Sequence, residues 1–158
     1  MLKTTLKSVV TLIISLCACS CSVAHNDFSE YCNLPSEGWA YTDTLVFYSS
    51  IPDSTAQGRL VLSLRHSNEY PYSNLWIEVS RQDASGSIKA DTVNFLMASP
   101  YGQWYGQGFG ASYQISDTLL QTVELTDSMP LRVRHIMRLD TIRGIEQLGI
   151  SFVSNDVN

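Results

Sequence analysis

The sequence predicts an all-β protein: a single antiparallel β-sandwich, Ig-like or jelly-roll-like, preceded by an export signal of the lipoprotein type. Three observations carry this expectation. Short runs from Leu45 onward alternate apolar and polar residues with period two. Turn chemistry separates the runs at intervals of about twelve residues, giving about eight strands. Beyond the N-terminal signal, no window of helical period has the caps or length to compete. A closed barrel satisfies the same alternation and is the rival architecture.

The N-terminus is a signal peptide. Lys3 and Lys7 form a positive n-region, and Val9 to Ala18 an apolar stretch of about ten residues. A membrane-spanning helix needs about 20, so this stretch suits the apolar region of a signal. Cysteines at 17, 19 and 21 follow. Lipoprotein processing requires an apolar residue at −3, a small one at −1, and then a cysteine whose thiol takes a diacylglyceryl group. Leu16-Cys17-Ala18-Cys19 fits, whereas Ala18-Cys19-Ser20-Cys21 offers a weakly apolar −3 residue and Cys17 has Leu at −1. Lipidation is expected at Cys19, with Cys21 as the fallback. At ~0.8 kcal/mol per buried methylene, three acyl chains hold a protein at a membrane without inserting polypeptide.

Residues 1–18 are thus the signal, 19–36 a polar, aperiodic tether containing Pro35, and 37–158 the sandwich domain. Within the domain, Leu45, Phe47 and Ile51 mark one strand. Leu60, Leu62 and Leu64 mark the next, opened by Gly58. Leu75, Ile77 and Val79 follow the NEYPYSN break, and the Ala84–Ser87 turn closes a hairpin onto a strand from Ile88 to Met97. A strand from Thr118 to Leu125 comes next. Leu131, Val133, His135 and Met137 then alternate against Arg132, Arg134, Ile136 and Arg138. Leu148, Ile150 and Phe152 form the last strand.

Composition narrows the function. Removing the first 18 residues leaves 140 of 158, enough for one real core, and loss of Lys3 and Lys7 takes the formal charge from −5 to −7. Lys89 is then the sole lysine, which argues against nucleic acid and anionic surfaces as partners. Cys21 and Cys32 remain as thiols able to pair, without the spacing of a metal motif.

The stretch Gly102-Gln-Trp104-Tyr-Gly106-Gln-Gly108-Phe-Gly110 invites a phosphate-loop reading, but it lacks the Lys-Ser/Thr and the helix that such loops require. Its glycines read instead as positions of positive φ or close backbone approach. Tyr70, Tyr72 and Trp76 surround one Pro-containing break, and Trp104, Tyr105 and Phe109 sit in the glycine-rich stretch. Such aromatics either form a binding platform for protein or sugar, or plug the ends of the sandwich. Arg132, Arg134 and Arg138 are placed on one strand face, as a ladder for an acidic partner or as a solvated, acid-balanced surface. His25, His66 and His135 are scattered, with His135 a hydrogen-bonded core residue, so no catalytic centre, metal site or cofactor is expected.

Several motifs carry a family resemblance. Arg65-His-Ser-Asn68-Glu-Tyr70-Pro71-Tyr72-Ser73-Asn74-Leu75-Trp76 is similar to the R-x-x-x-x-Y-P-Y-S-N-L signature of the gliding-motility lipoproteins called GldH. Ala98-Ser-Pro100-Tyr-Gly102-Gln-Trp104-Tyr-Gly106-Gln-Gly108-Phe-Gly110 resembles that family's A-x-P-x-G-x-W-x-G-x-G-x-G. Leu34-Pro-x-x-Gly38-Trp39, His135-Ile-Met137-Arg138 and Ile142-Arg-Gly144-Ile145 extend the resemblance over roughly residues 30–153. It implies an outer-membrane lipoprotein of Bacteroidetes-type bacteria, working with other envelope lipoproteins and the gliding and type IX secretion components. It implies no catalytic activity and no cofactor. Surface-exported lipoproteins of this phylum tend to carry acids just after the lipidated cysteine, and here the first acid is Asp27, so a periplasm-facing domain is expected. The expected function is a non-catalytic interaction component; a carbohydrate-binding sandwich lipoprotein is the alternative.

Overall fold

The computed structural model describes residues 27–52, 55–83 and 85–155. The signal peptide, Cys19, Cys21 and His25 lie outside them. The described residues form β1 (Phe28–Asn33), β2 (Trp39–Ala40), β3 (Leu45–Tyr48), β4 (Thr55–Ser67), β5 (Asn74–Gln82), β6 (Ile88–Leu96), β7 (Gln107–Phe109), β8 (Ser112–Thr126), β9 (Pro130–His135), β10 (Thr141–Ile142) and β11 (Ile145–Ser154).

Two antiparallel sheets carry the fold, one ordered β1-β11-β4-β8-β7 and the other β3-β9-β5-β6, with β2 and β10 as a separate ribbon. Setting aside the short β2, β7 and β10, the eight long strands stand in the orders 1-8-3-6 and 2-7-4-5. That is the jelly-roll arrangement, two interlocked Greek keys that leave the sheets open rather than closed into a barrel. Of the two sandwich forms expected, the jelly roll is the one formed.

Period-two alternation decides which faces meet. Leu60, Leu62 and Leu64 of β4 and Leu148, Ile150 and Phe152 of β11 point inward, as do Leu75, Ile77 and Val79 of β5 and Leu131 and Val133 of β9. All are at most 1% exposed. Burial of each such side chain stabilises the fold by about 1.5–3 kcal/mol relative to leaving it in water.

The structure corrects several expected boundaries. The segment 19–36 is not all tether, because Phe28–Asn33 pairs with β11 along its whole length and Phe28 stacks on Phe152 at 6.0 Å. Glu30 Oε2 then accepts the Tyr48 N–H at 2.9 Å, joining β1 to the neighbouring sheet. Gly58 does not open β4 but lies inside it, at a register shift against β8. Ile51 is buried beyond the end of β3, its N–H held by Asp127 Oδ1 at 3.0 Å. β8 begins at Ser112, not Thr118, because its first residues pair with β4 despite their polarity. β9 ends at His135: the Ile136 N–H still reaches the Trp76 carbonyl of β5, but the Trp76 N–H goes to Met137 Sδ at 3.4 Å and returns no backbone bond. Arg138 therefore lies past the strand.

Strand direction gives the sandwich two unlike ends. β1 starts at the end that also carries the β3–β4, β5–β6 and β8–β9 connections, here called the hairpin end. At the other, the loop end, lie residues 34–44, 68–73, 97–111 and 136–144, which carry the ribbon and β7.

Candidate functional site

The loop end gathers most of the residues singled out in the sequence, and it does so around two buried histidines. His66, next to last in β4, faces inward, and its ring meets Trp104 at 4.6 Å, Tyr113 at 5.6 Å and Tyr70 at 6.2 Å. Trp104 is half-buried, forms a β-bridge with Ala98, and donates its indole N–H to Asn68 Oδ1 at 3.0 Å. Tyr70 is only 1% exposed and donates its hydroxyl to the Asn74 carbonyl at 2.7 Å. Its burial pushes the phenol far above the usual tyrosine range. The glycine-rich stretch is the strap that presses Trp104 into place. Gly106 has φ +84° and sits where a Cβ would overlap the Gln114 carbonyl of β8, so positive φ and close approach are both realised there.

The second histidine belongs to the other sheet. His135 is fully buried at the end of β9, with Trp39 and Tyr41 edge-on to its ring at 5.3 and 5.6 Å. Trp39, on β2, is itself fully buried and donates Nε1–H to the Asp43 carbonyl at 3.0 Å. Burial lowers the pKa of both histidines. Among the described residues, no group meets hydrogen-bond geometry at His66 Nε2 or at either His135 nitrogen. The Trp39 and Ala40 backbone favours the charged His135 ring but does not outweigh burial. His135 is thus the core residue expected, its ring set against the Trp39 and Ala40 backbone. His66 Nδ1 contacts the Ser67 carbonyl at 3.1 Å, and neither ring hydrogen-bonds a carboxylate. The described residues contain no group of three or more His, Cys, Asp or Glu able to hold a metal ion.

The aromatics divide cleanly. Tyr70 is an interior plug and Trp104 a half-buried seal, whereas Tyr72, Trp76 (41% exposed) and Tyr105 show substantial surface to solvent. Phe109 contributes backbone to β7; its side chain lies outside the described set. Three further exposed apolar groups of the loop end were not singled out: Tyr41, Leu139 and Tyr101, the last 97% exposed. Loop residues follow no period, so alternation gives no signal for them.

The arginine ladder is not one. Arg134 is bidentate on Glu78 of β5, Nε to Oε1 at 2.8 Å and Nη2 to Oε2 at 3.1 Å, which raises the Arg134 pKa. Arg132 stays exposed on the same outer face, while Arg138 lies in the following loop.

The family model of the GldH lipoprotein matches residues 26–152, a span that holds both histidine clusters and every long strand but the last residues of β11. The chain belongs to the GldH lipoprotein family. It is 26% identical over 136 residues to the gliding motility lipoprotein GldH of Flavobacterium johnsoniae, covering 82% of this chain and 85% of that relative. A GldH homolog of Christiangramia forsetii is 32% identical over 105 residues, covering 64% of this chain and 65% of the homolog. Among solved structures, the globular domain of zebrafish complement 1qA aligns with a TM-score of 0.40 at 10% identity, covering 85% of this chain and all of that one. The tobacco streak virus coat protein aligns at 0.30 and 11% identity, over 88% and 92% of the two chains. Membership of the GldH family makes this a membrane-anchored lipoprotein of gliding motility.

Proposed function

We propose that this GldH-family domain is a non-catalytic interaction component of the gliding and type IX secretion machinery, held at the outer membrane by lipid on Cys19 and facing the periplasm. One observation carries the reading. β1 begins at the hairpin end, so the N-terminal anchor joins the domain there, and the exposed loop aromatics project from the opposite end. A six-residue strand rises about 20 Å, which sets the loop end well away from the anchored one. Exposed Tyr72, Tyr101 and Tyr105 on the loops, with Trp76 exposed near the start of β5 beside them, supply contact area at low entropic cost.

Alanine at Trp76, Tyr101 and Tyr105 tests this. The triple variant should keep its fold and its envelope location, lose co-purifying envelope lipoproteins and abolish gliding. Normal gliding and unchanged co-purification would refute the loop end as the contact. Mass spectrometry of the mature N-terminus distinguishes Cys19 from Cys21. Resistance of the domain to protease added to intact cells is expected for a periplasmic orientation, and rapid shaving would contradict it.

A further inference from the structure

The outward face of the five-stranded sheet has a chemistry of its own. Register places Asn33, Gln147, Arg65, Gln114 and Gln107 opposite one another across β1, β11, β4, β8 and β7. Residues paired across a ladder share a face, and Leu62 and Leu64 turn inward, so this whole row turns outward. The adjoining row is Tyr31, Gly149, Ser63 and Ser116. Four amides and one cation in a single row, bordered by hydroxyls, differ from an ordinary solvated face. The opposite sheet shows that ordinary pattern in the Arg134–Glu78 pair.

The row is also open for binding. Arg65 is exposed and, among the described residues, has no carboxylate partner, and the Gln107 and Gln114 amides make no hydrogen bond. Gln147 Nε2 donates to Asn33 Oδ1 at 2.8 Å, fixing that end of the row. A groove of about 820 Å³ lies over Arg65, Gln107, Gln114 and Ser116, walled by the glycine segment of β7. Tyr31, 49% exposed, lies across Gly149, where any Cβ would overlap its ring.

An amide donates and accepts at once, which matches neighbouring hydroxyls of a sugar ring, and an exposed phenol ring suits the ring's C–H face. Arg65 adds a fork for a carboxylate. A mature chain of formal net charge −7, from −5 for the full sequence less Lys3 and Lys7, disfavours a densely anionic polymer. A second copy of the chain is a poor occupant, because the two rows hold no apolar group but Tyr31 and so lack an interface core. We propose that this face binds a glycan that carries a carboxylate on some of its sugars, with Arg65 on the carboxylate and Gln107, Gln114 and Gln147 on the hydroxyls.

The test is calorimetric titration of the lipidated mature chain in a detergent without a sugar headgroup. The two probes are hyaluronan hexasaccharide and chitohexaose, which share N-acetylglucosamine, while only the first carries glucuronate. The hyaluronan hexasaccharide should bind saturably and about tenfold tighter than chitohexaose, and Arg65→Gln should remove the difference. Gln114→Ala with Gln147→Ala should weaken both by about tenfold or more, with the melting temperature retained because both side chains lie on the outer face. Tyr101→Ala, at the loop end, should leave sugar binding unchanged. Absence of saturable binding to either probe, binding indifferent to the amide and Arg65 substitutions, or a dimer that the amide substitutions dissolve would each overturn the assignment.

Discussion

The two ends of this sandwich are closed by different chemistry. At the hairpin end, short polar side chains stitch the backbone. Ser49 Oγ donates to the Thr126 carbonyl and accepts the Met129 N–H at 2.8 Å, and Asp127 takes the Ile51 N–H. Asp83 accepts the N–H groups of Ser85 and Ser87 at 2.9 and 3.0 Å, and these bonds, with the Ser85 hydroxyl first among them, hold its carboxyl below the usual range. At the loop end, rings do the closing. Trp39 and Tyr41 pack on His135, and Trp104, Tyr70 and Tyr113 on His66, with further rings left outside. Polar stitching needs few atoms, and among the described residues only Tyr48 and Ile88 stand out as large exposed apolar groups beside it, against Tyr41, Tyr72, Tyr101, Tyr105 and Leu139 at the loop end. Aromatic closure encloses titratable groups and spills apolar surface outward, so one end is structural and the other is suited to contact.

The largest effect that separates the ends is expected for Trp39→Ala, which removes a fully buried indole and should cost about 3–5 kcal/mol in chemical denaturation. Ser49→Ala, at the hairpin end, leaves backbone groups short of a partner and should cost about 1–2 kcal/mol. A loss from Ser49→Ala as large as that from Trp39→Ala would break the distinction.

Acid should sharpen the contrast. Both histidines have folded-state pKa values below the unfolded 6.5, so the unfolded chain binds more protons in the window beneath that value. Their contribution to stability is full above about pH 6.5 and declines as pH falls through the lowered values. His135→Phe keeps a ring against Trp39 and Tyr41 while removing the titratable nitrogens. It should reduce the fall in melting temperature below about pH 6.5, with His66 supplying what remains, and an undiminished slope would place the acid sensitivity elsewhere. Tyr101→Ala sits at the small end of the scale, within about 0.5 kcal/mol of the parent, because its ring touches mainly solvent.

The interior was legible in the sequence because burial on one face imposes strict alternation, as at Leu60, Leu62 and Leu64. β1 was not, since an edge strand needs few apolar residues and Phe28 and Cys32 are separated by acids and hydroxyls. Alternation also cannot see that the Trp76 N–H goes to Met137 Sδ, where the β5–β9 ladder stops, and so it carries β9 too far and puts Arg138 on the strand. Tyr70 and Tyr72 show the limit for the candidate site. They stand two residues apart in one loop, one inside and one outside, and only the hydrogen bond to Asn74 and the ring contact with His66 distinguish them. The amide row was invisible for a related reason: its five residues come from five strands and meet only through register.

The most direct test of the loop end as the contact surface is site-specific photo-crosslinking in the native envelope. A photoreactive residue at Tyr101 reports the loop end, and one at Ile88, 76% exposed on the β5–β6 hairpin, reports the other. Discrete adducts to another envelope protein from position 101, and none from position 88, are the expected result. Adducts from position 88 alone, or equally from both, would contradict the assignment of function to the loop end.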